Sequence, residues 1–348
     1  MAIGILSIFL SLAVIYFAAI GVQSTVLKYR KLHIVELIRD LLKYAILFGA
    51  VLLTCLGLAG LLGLLLDTQN VDYGGKLDAA RWLAFLVVGI PVIAVISRWI
   101  RRDFSKNPES SKSPAWQVYL LAASTSSLVI WFIPLNTTLR WFAGQPYRPI
   151  ELAQVIVAFV VWMVHIYLIR KHQSIISNLH RFAGLVTGLV AASVASIQAI
   201  GYGISRWMDV ATKEFEFQNA IILLAIGAPL AIYYWVNLDN NASALELRIY
   251  RTFPGKIAPT FFVGFAGTFA LGSILNWYFG QHIDDAPRYF THVPQQLATV
   301  IVLTPLVLYF RSLVSQYRRD DLTRLFQYFV SGAALIGASV AGGWFIAG

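Results

Sequence analysis

The sequence predicts an all-α fold, a polytopic integral membrane protein of ten transmembrane helices arranged as five parallel two-helix repeats. Three observations predict it. First, hydrophobic residues make up 58% of the 348-residue chain and charged residues only 13%, whereas soluble domains carry about 25% charged residues. So few charges cannot cover a globule of this size, so lipid must solvate most of its surface. Second, windows free of Asp, Glu, Lys and Arg recur at lengths that cross a bilayer, roughly 17–25 residues. Third, proline returns inside similar apolar runs: GIPVIAVI at 89–96, GAPLAIYY at 227–234 and LTPLVLYF at 303–310.

The first window, about 3–22, lies in MAIGILSIFLSLAVIYFAAIGVQ. A signal peptide carries its positive charges before a short apolar core. Here Lys28, Arg30 and Lys31 follow the run instead, so a first membrane helix with an outside N-terminus is expected. The next windows are about 44–66, 82–97, 117–138, 150–169, 182–204, 217–237, 257–279, 295–310 and 325–347. The window at 82–97 is short, and Arg81 and Arg98 are expected to snorkel from its ends. Pro149 and Pro294 stand just ahead of two windows, at helix starts where a missing N–H is harmless. The longest connection, RWIRRDFSKNPESSKSPAW at 98–116, is expected to be polar and flexible. No connection reaches the 50 or so residues of a soluble domain.

Basic residues set the expected orientation. Of 27 Lys and Arg, 20 fall in the connections 23–43, 98–116, 170–181, 238–256 and 311–324, and 7 on the opposite side. The positive-inside rule places the richer side in the cytoplasm and both termini outside. Removing one helix would mix the two charge classes, which supports the count of ten. The net charge of +10 is thereby a topology signal. Its natural partners are anionic lipid headgroups on the cytoplasmic side, and no nucleic-acid partner is expected.

The repeat is read from a ruler position four residues after each proline or its counterpart: Tyr16, Val95, Tyr167, Tyr233 and Tyr309, spaced by 79, 72, 66 and 76 residues. That periodicity marks an internal repeat, with approximate units 1–66, 80–143, 149–207, 217–280 and 294–348 within one transmembrane domain. The second helix of each unit has basic, amphipathic lead-ins, RDLLKY at 39–44, NLHRF at 178–182 and TRLFQY at 323–328. Exits at Arg140-Trp141, Arg206-Trp207 and Asn276-Trp277 suit an interfacial aromatic belt. Two crossings per unit make the copies parallel. Inverted repeats, the more familiar mark of alternating access, are not the pattern seen. With these lead-ins and exits the chain resembles a repeat domain of unknown function found in bacterial multi-pass proteins. The resemblance implies a bacterial inner-membrane location and brings no substrate, cofactor or catalytic residue.

Chemistry is sparse. Acidic and basic residues fall in connections or at helix ends, whereas ionisable groups inside spans mark ion paths and proton relays. The exception is His165, in WMVHIYLIRK. It reads either as a proton shuttle or a haem ligand paired with His180, or as an interfacial histidine bonded to a neighbouring helix or water. A b-type haem needs two facing ligands, and no such arrangement repeats, which favours the plainer reading. His282, Asp284, Asp285 and His292, in GQHIDDAPRYFTHV, are acceptable metal-ligand types in no recognised spacing. Asp67, Asp72 and Asp78 lack the alternation of a calcium loop. Ser124, Thr125, Ser126 and Ser127, with Gln198, either line a polar cavity or bond between helices. Gly57, Gly60 and Gly63, and Gly184 with Gly188, suit close helix approach. The single Cys55 excludes an intrachain disulfide, and no phosphate-binding loop, nucleophile elbow or HExxH occurs.

The expectation is therefore a non-enzymatic protein with no cofactor, a structural or accessory component of a membrane assembly with protein partners. The alternatives are a channel or uncoupled transporter lined by hydroxyl and backbone groups, and an interfacial enzyme acting on lipid or quinone.

Overall fold

The computed structural model describes residues 34–67, 74–171, 175–210, 214–240, 247, 251–279 and 286–315. Among them run eight long helices: α1 (Ile34–Leu66), α2 (Gly74–Lys106), α3 (Pro114–Leu139), α4 (Pro149–Lys171), α5 (Ile175–Trp207), α6 (Glu214–Asp239), α7 (Ala258–Phe279) and α8 (Val293–Ser315). All eight are long and apolar enough to cross a membrane, and no strand occurs among the described residues. The expected windows at 3–22 and 325–347 lie outside them.

Several helices outrun their apolar windows. α1 and α2 each have 33 residues, about 50 Å at 1.5 Å per residue, against a hydrocarbon core of about 30 Å. The segments expected as connections, 23–43 and 98–116, are therefore helical over much of their length. Leu, Arg and Lys are good helix formers, and a charged residue stops a hydropathy window without stopping a helix. The 98–116 connection is also ordered where a flexible loop was expected. α2 continues to Lys106, a 3-10 turn covers Pro108–Lys112, and α3 begins at Pro114. Asn107 caps the turn by accepting from the Glu109 N–H at 3.2 Å. Ser113 caps α3 by accepting from the Trp116 N–H at 3.3 Å, with Pro114 in the first turn. The prolines interrupt nothing: Pro91, Pro134, Pro229 and Pro305 all sit inside continuous helices.

The chain divides into two compact units at Gly184 and Leu185. In the first, α1 to α4 pack antiparallel. The start of α1, the end of α2, the start of α3 and the end of α4 meet at one end, around the buried residues Tyr44, Ile100, Trp116, Tyr119 and Ile169. The opposite end is marked by Gly63 of α1 against Ile150 of α4. Glycine makes the close contacts possible, since a Cβ on Gly60 would fall within the Trp82 ring and one on Gly89 would meet Thr54 and the Ala50 carbonyl. Deeper in the apolar region, Trp131 of α3 and Trp162 of α4 stack with centroids 5.6 Å apart and planes 8° apart. After α3 a short 3-10 turn ends at Gly144, whose φ of 82° lies in the left-handed region that glycine adopts without strain.

In the second unit a Cβ on Gly188 of α5 would meet Ala231 of α6, and one on Gly227 of α6 would meet Ala191 and Ala192 of α5. Gly201 of α5 lies against Gln295 of α8. Trp235 of α6 packs edge-on against Phe310 of α8 at 5.3 Å. A π-helical segment, Arg251–Ile257, leads into α7. Outward faces in both units are apolar, with Val87 70% exposed on α2 and Tyr278 74% exposed on α7, as lipid-facing surfaces require.

Candidate functional site

The described residues gather ionisable and aromatic chemistry in one place, the end of the first unit where α1, α2 and α3 meet. Lys43 stands ten residues into α1, and its side chain is only 5% exposed. The ammonium donates to Asp103 Oδ2 of α2 at 2.9 Å and lies 3.3 Å from Asp40 Oδ1, one turn back on its own helix. It also rests over the rings of Tyr44 and Trp99, 5.0 and 5.3 Å from their centroids. A buried ammonium needs such company, because desolvation costs several kcal/mol per ion unless partners replace water. Arg39 approaches Asp40 at 3.7 Å from outside. This corrects the expectation that every charge lies in a connection or at a helix end: Lys43 is buried inside a helix, with its counter-charge on a neighbouring one.

A cavity of about 220 Å³ opens over this cluster. Its floor is Asp40, Lys43 and Tyr44, and Trp99 and Asp103 form one side. Arg39, Lys106, Asn107 and Ser110 complete the rim, the last two from the start of the ordered turn after α2. Beneath the floor an aromatic ladder descends. Tyr44 packs on Trp116 at 5.4 Å, Trp116 stacks on Tyr119 at 5.2 Å, and Tyr119 lies 5.6 Å from the His165 ring.

His165 of α4 ends this ladder. Its Nδ1 is 2.8 Å from the Val161 carbonyl and its Nε2 3.0 Å from the Tyr119 hydroxyl. A carbonyl only accepts, so Nδ1 carries the hydrogen, and in the neutral ring Nε2 accepts from the phenol. Both nitrogens are thus engaged, and neither lone pair is presented to a haem iron. His180 of α5 is likewise buried.

The hydroxyl cluster of α3 does not line the cavity just described. Ser124, Ser126 and Ser127 donate to the carbonyls of Leu121, Ala123 and Ser124, each three residues back on the same helix. Thr125 is buried, and its Oγ1 has no protein hydrogen-bond partner, nor has Oδ1 of the buried Asn136. Gln198 is half-buried on α5 of the other unit. Of the proposed metal residues, His282, Asp284 and Asp285 lie outside the described residues, and His292 is exposed in a 3-10 turn before α8. Among the described residues no three His, Cys, Asp or Glu come together as a metal site.

The charged mouth was not recognisable from sequence as a site. Its one visible trace was the RDLLKY lead-in, whose Arg39, Asp40, Lys43 and Tyr44 all line the cavity. The partners Trp99, Asp103 and Trp116 gave no separate signal.

Eight candidate spans with lipid-facing apolar surfaces define a multi-pass α-helical membrane protein. Residues 40–164, somewhat more than a third of the chain, match the model of a domain of unknown function (DUF5671). The match runs from Asp40 of the charged mouth to Val164, one residue before the histidine that ends the ladder. No curated protein and no solved structure matches the chain.

Proposed function

We propose that the chain is a non-enzymatic structural or accessory component of a bacterial inner-membrane assembly, with its basic helix ends in the cytoplasm. The observation that carries this reading is how the first unit uses its reactive groups. Lys43 is held between two carboxylates, His165 has both nitrogens engaged, and three of the four α3 hydroxyls bond their own helix. None is left as a nucleophile, a base or a step in a proton relay. What the units do present is apolar helix surface and glycine-lined seats for neighbouring helices.

Ten crossings in five parallel two-helix units belong to the same proposal, with the windows 3–22 and 325–347 flanking the eight described helices. Matching contacts inside the two units support it. Gly89 and Pro91 of α2 precede Gly227 and Pro229 of α6 by 138 residues, and both glycines seat against small residues of the preceding helix. Gly63 and Gly201 are also 138 residues apart, and each meets the residue that follows a proline, Ile150 after Pro149 and Gln295 after Pro294. The Lys43–Asp40 pair has its counterpart in Arg181, which donates to Asn178 Oδ1 at 2.8 Å with the same spacing. Two consecutive two-helix units thus make one four-helix module, and the second module keeps the packing contacts while exchanging the ion pair for a neutral acceptor.

A second reading, an uncoupled channel, is favoured by one feature of α3. Thr125 and Asn136 are eleven residues apart, which places them on one helix face about 16 Å apart along the axis, and both hold buried oxygens without protein partners. The deciding experiment is extraction of the tagged protein in polymer nanodiscs, followed by mass spectrometry of what remains bound. A stoichiometric protein partner supports the accessory role. A lone chain or homo-oligomer that passes small solutes in a liposome flux assay supports the channel.

A further inference from the structure

We propose that the cavity at the mouth of the first unit is a binding site for the phosphodiester headgroup of an anionic membrane lipid. This goes beyond the assembly role and does not depend on it.

Charge is the first argument. Asp40 and Asp103 are both engaged by Lys43, with Arg39 reaching Asp40 at the longer distance of 3.7 Å. Of the three cations and two carboxylates that line the cavity, one positive charge remains over. Lys106 supplies it from the last turn of α2, exposed at the rim. A site one charge in excess suits a monoanion, and a phosphodiester carries one negative charge. The neutral donors match as well, since the Asn107 amide and the Ser110 hydroxyl line the same rim.

Size is the second argument. About 220 Å³ is roughly seven times the volume of one liquid water, too large for a bare ion and below the roughly 300 Å³ at which sites for drug-sized ligands begin. A lipid headgroup without its acyl chains falls in that interval. Position is the third. The cavity lies at the end of membrane-spanning helices, and the indole of Trp99, 47% exposed, stands beside it as interfacial tryptophans do. Basic pockets between membrane helices on the cytoplasmic side are places where acidic headgroups bind. A soluble phosphate compound carries the same chemistry, and the test below separates the two sources.

The full chain is placed in nanodiscs of phosphatidylcholine containing a small fraction of phosphatidylglycerol, with bromine on the acyl chains of one lipid or the other. Tryptophan quenching then reports which lipid lies beside the protein, and Trp99→Phe isolates the signal at the mouth. The expected result is a preference of about fivefold for phosphatidylglycerol, the worth of one well-placed cation. Arg39→Gln with Lys106→Gln abolishes it, and Arg39→Lys with Lys106→Arg keeps it. Arg101→Gln with Arg102→Gln, which removes two exposed charges outside the cavity from the same helix end, leaves most of it.

Equal quenching by both lipids overturns the proposal. So does an equal loss in the Arg101/Arg102 variant, because the attraction is then a general surface effect. Suppression of the preference by millimolar inorganic phosphate, at an ionic strength matched with chloride, assigns the cavity to a soluble phosphate and overturns the lipid source. The substituted side chains are exposed, so an unchanged thermal melt in each variant confirms that folding is not what is being read.

Discussion

At the scale of single residues, the first unit holds two interactions whose removal has predictable size. Tyr119→Phe leaves the buried Nε2 of His165 without its partner at 3.0 Å. The expected loss is about 1 kcal/mol, within the roughly 0.6–2 kcal/mol of interhelical hydrogen bonds in membranes. A double-mutant cycle with His165→Ala, read by reversible unfolding in mixed micelles, checks it. Lys43→Met leaves Asp40 and Asp103 facing one another with no cation between them. Breaking a buried pair costs about 3–5 kcal/mol, and these carboxylates keep a quarter to a third of their exposure. The expected loss is therefore at the low end, about 3 kcal/mol, and adding Asp103→Leu recovers part of it. Neither pair was legible in the sequence. His165 could be singled out as an ionisable group inside an apolar run, but its partner lies 46 positions away. Lys43 was assigned to a connection because a search for uncharged windows ends at the first lysine, whereas the helix, with its counter-charge on α2, does not.

At the scale of helices, sequence reading fares better, and physics says why. The centres of the eight described helices coincide with apolar windows because lipid demands an uninterrupted internally bonded backbone. The glycine spacing at 57, 60 and 63 does bring other helices close, with Trp82 seated on the first two and Ile150 on the third. Helix ends were not legible, since they depend on caps and on charges satisfied by other helices. The packing makes a graded prediction. Gly60→Leu and Gly227→Leu insert side chains where neighbours already sit, so each should destabilise by about 1–3 kcal/mol through overpacking. Gly264→Ala and Gly272→Ala face open space and should leave the melting temperature within a degree or so of the parent. Equal effects at all four positions would remove the helix-seat account.

At the scale of the molecule, alternation of crossings is the testable statement. In a Cys55→Ser background, Ser111→Cys lies in the turn between α2 and α3, and Gln145→Cys between α3 and α4. A membrane-impermeant maleimide added to intact cells should label the second and spare the first until the membrane is permeabilised. The reverse pattern would invert the orientation drawn from the lysines and arginines. Whole-chain architecture was legible through periodicity of prolines and charges, because each crossing repeats one physical constraint. The charged mouth was not, because it joins residues from three crossings that share no local pattern.

The first unit begins α1 and finishes α4 at the same end, and that has an evolutionary consequence. A segment that leaves and returns to one face is topologically neutral. Copying it in tandem, or deleting a copy, leaves every downstream loop on its original side and asks nothing new of the insertion machinery. A unit with an odd number of crossings would turn all that follows upside down and set the loop charges against the membrane. Gene duplication of an even module can therefore be accepted at once, and the spare copy is free to lose its ion pair while retaining the seats that hold its helices together.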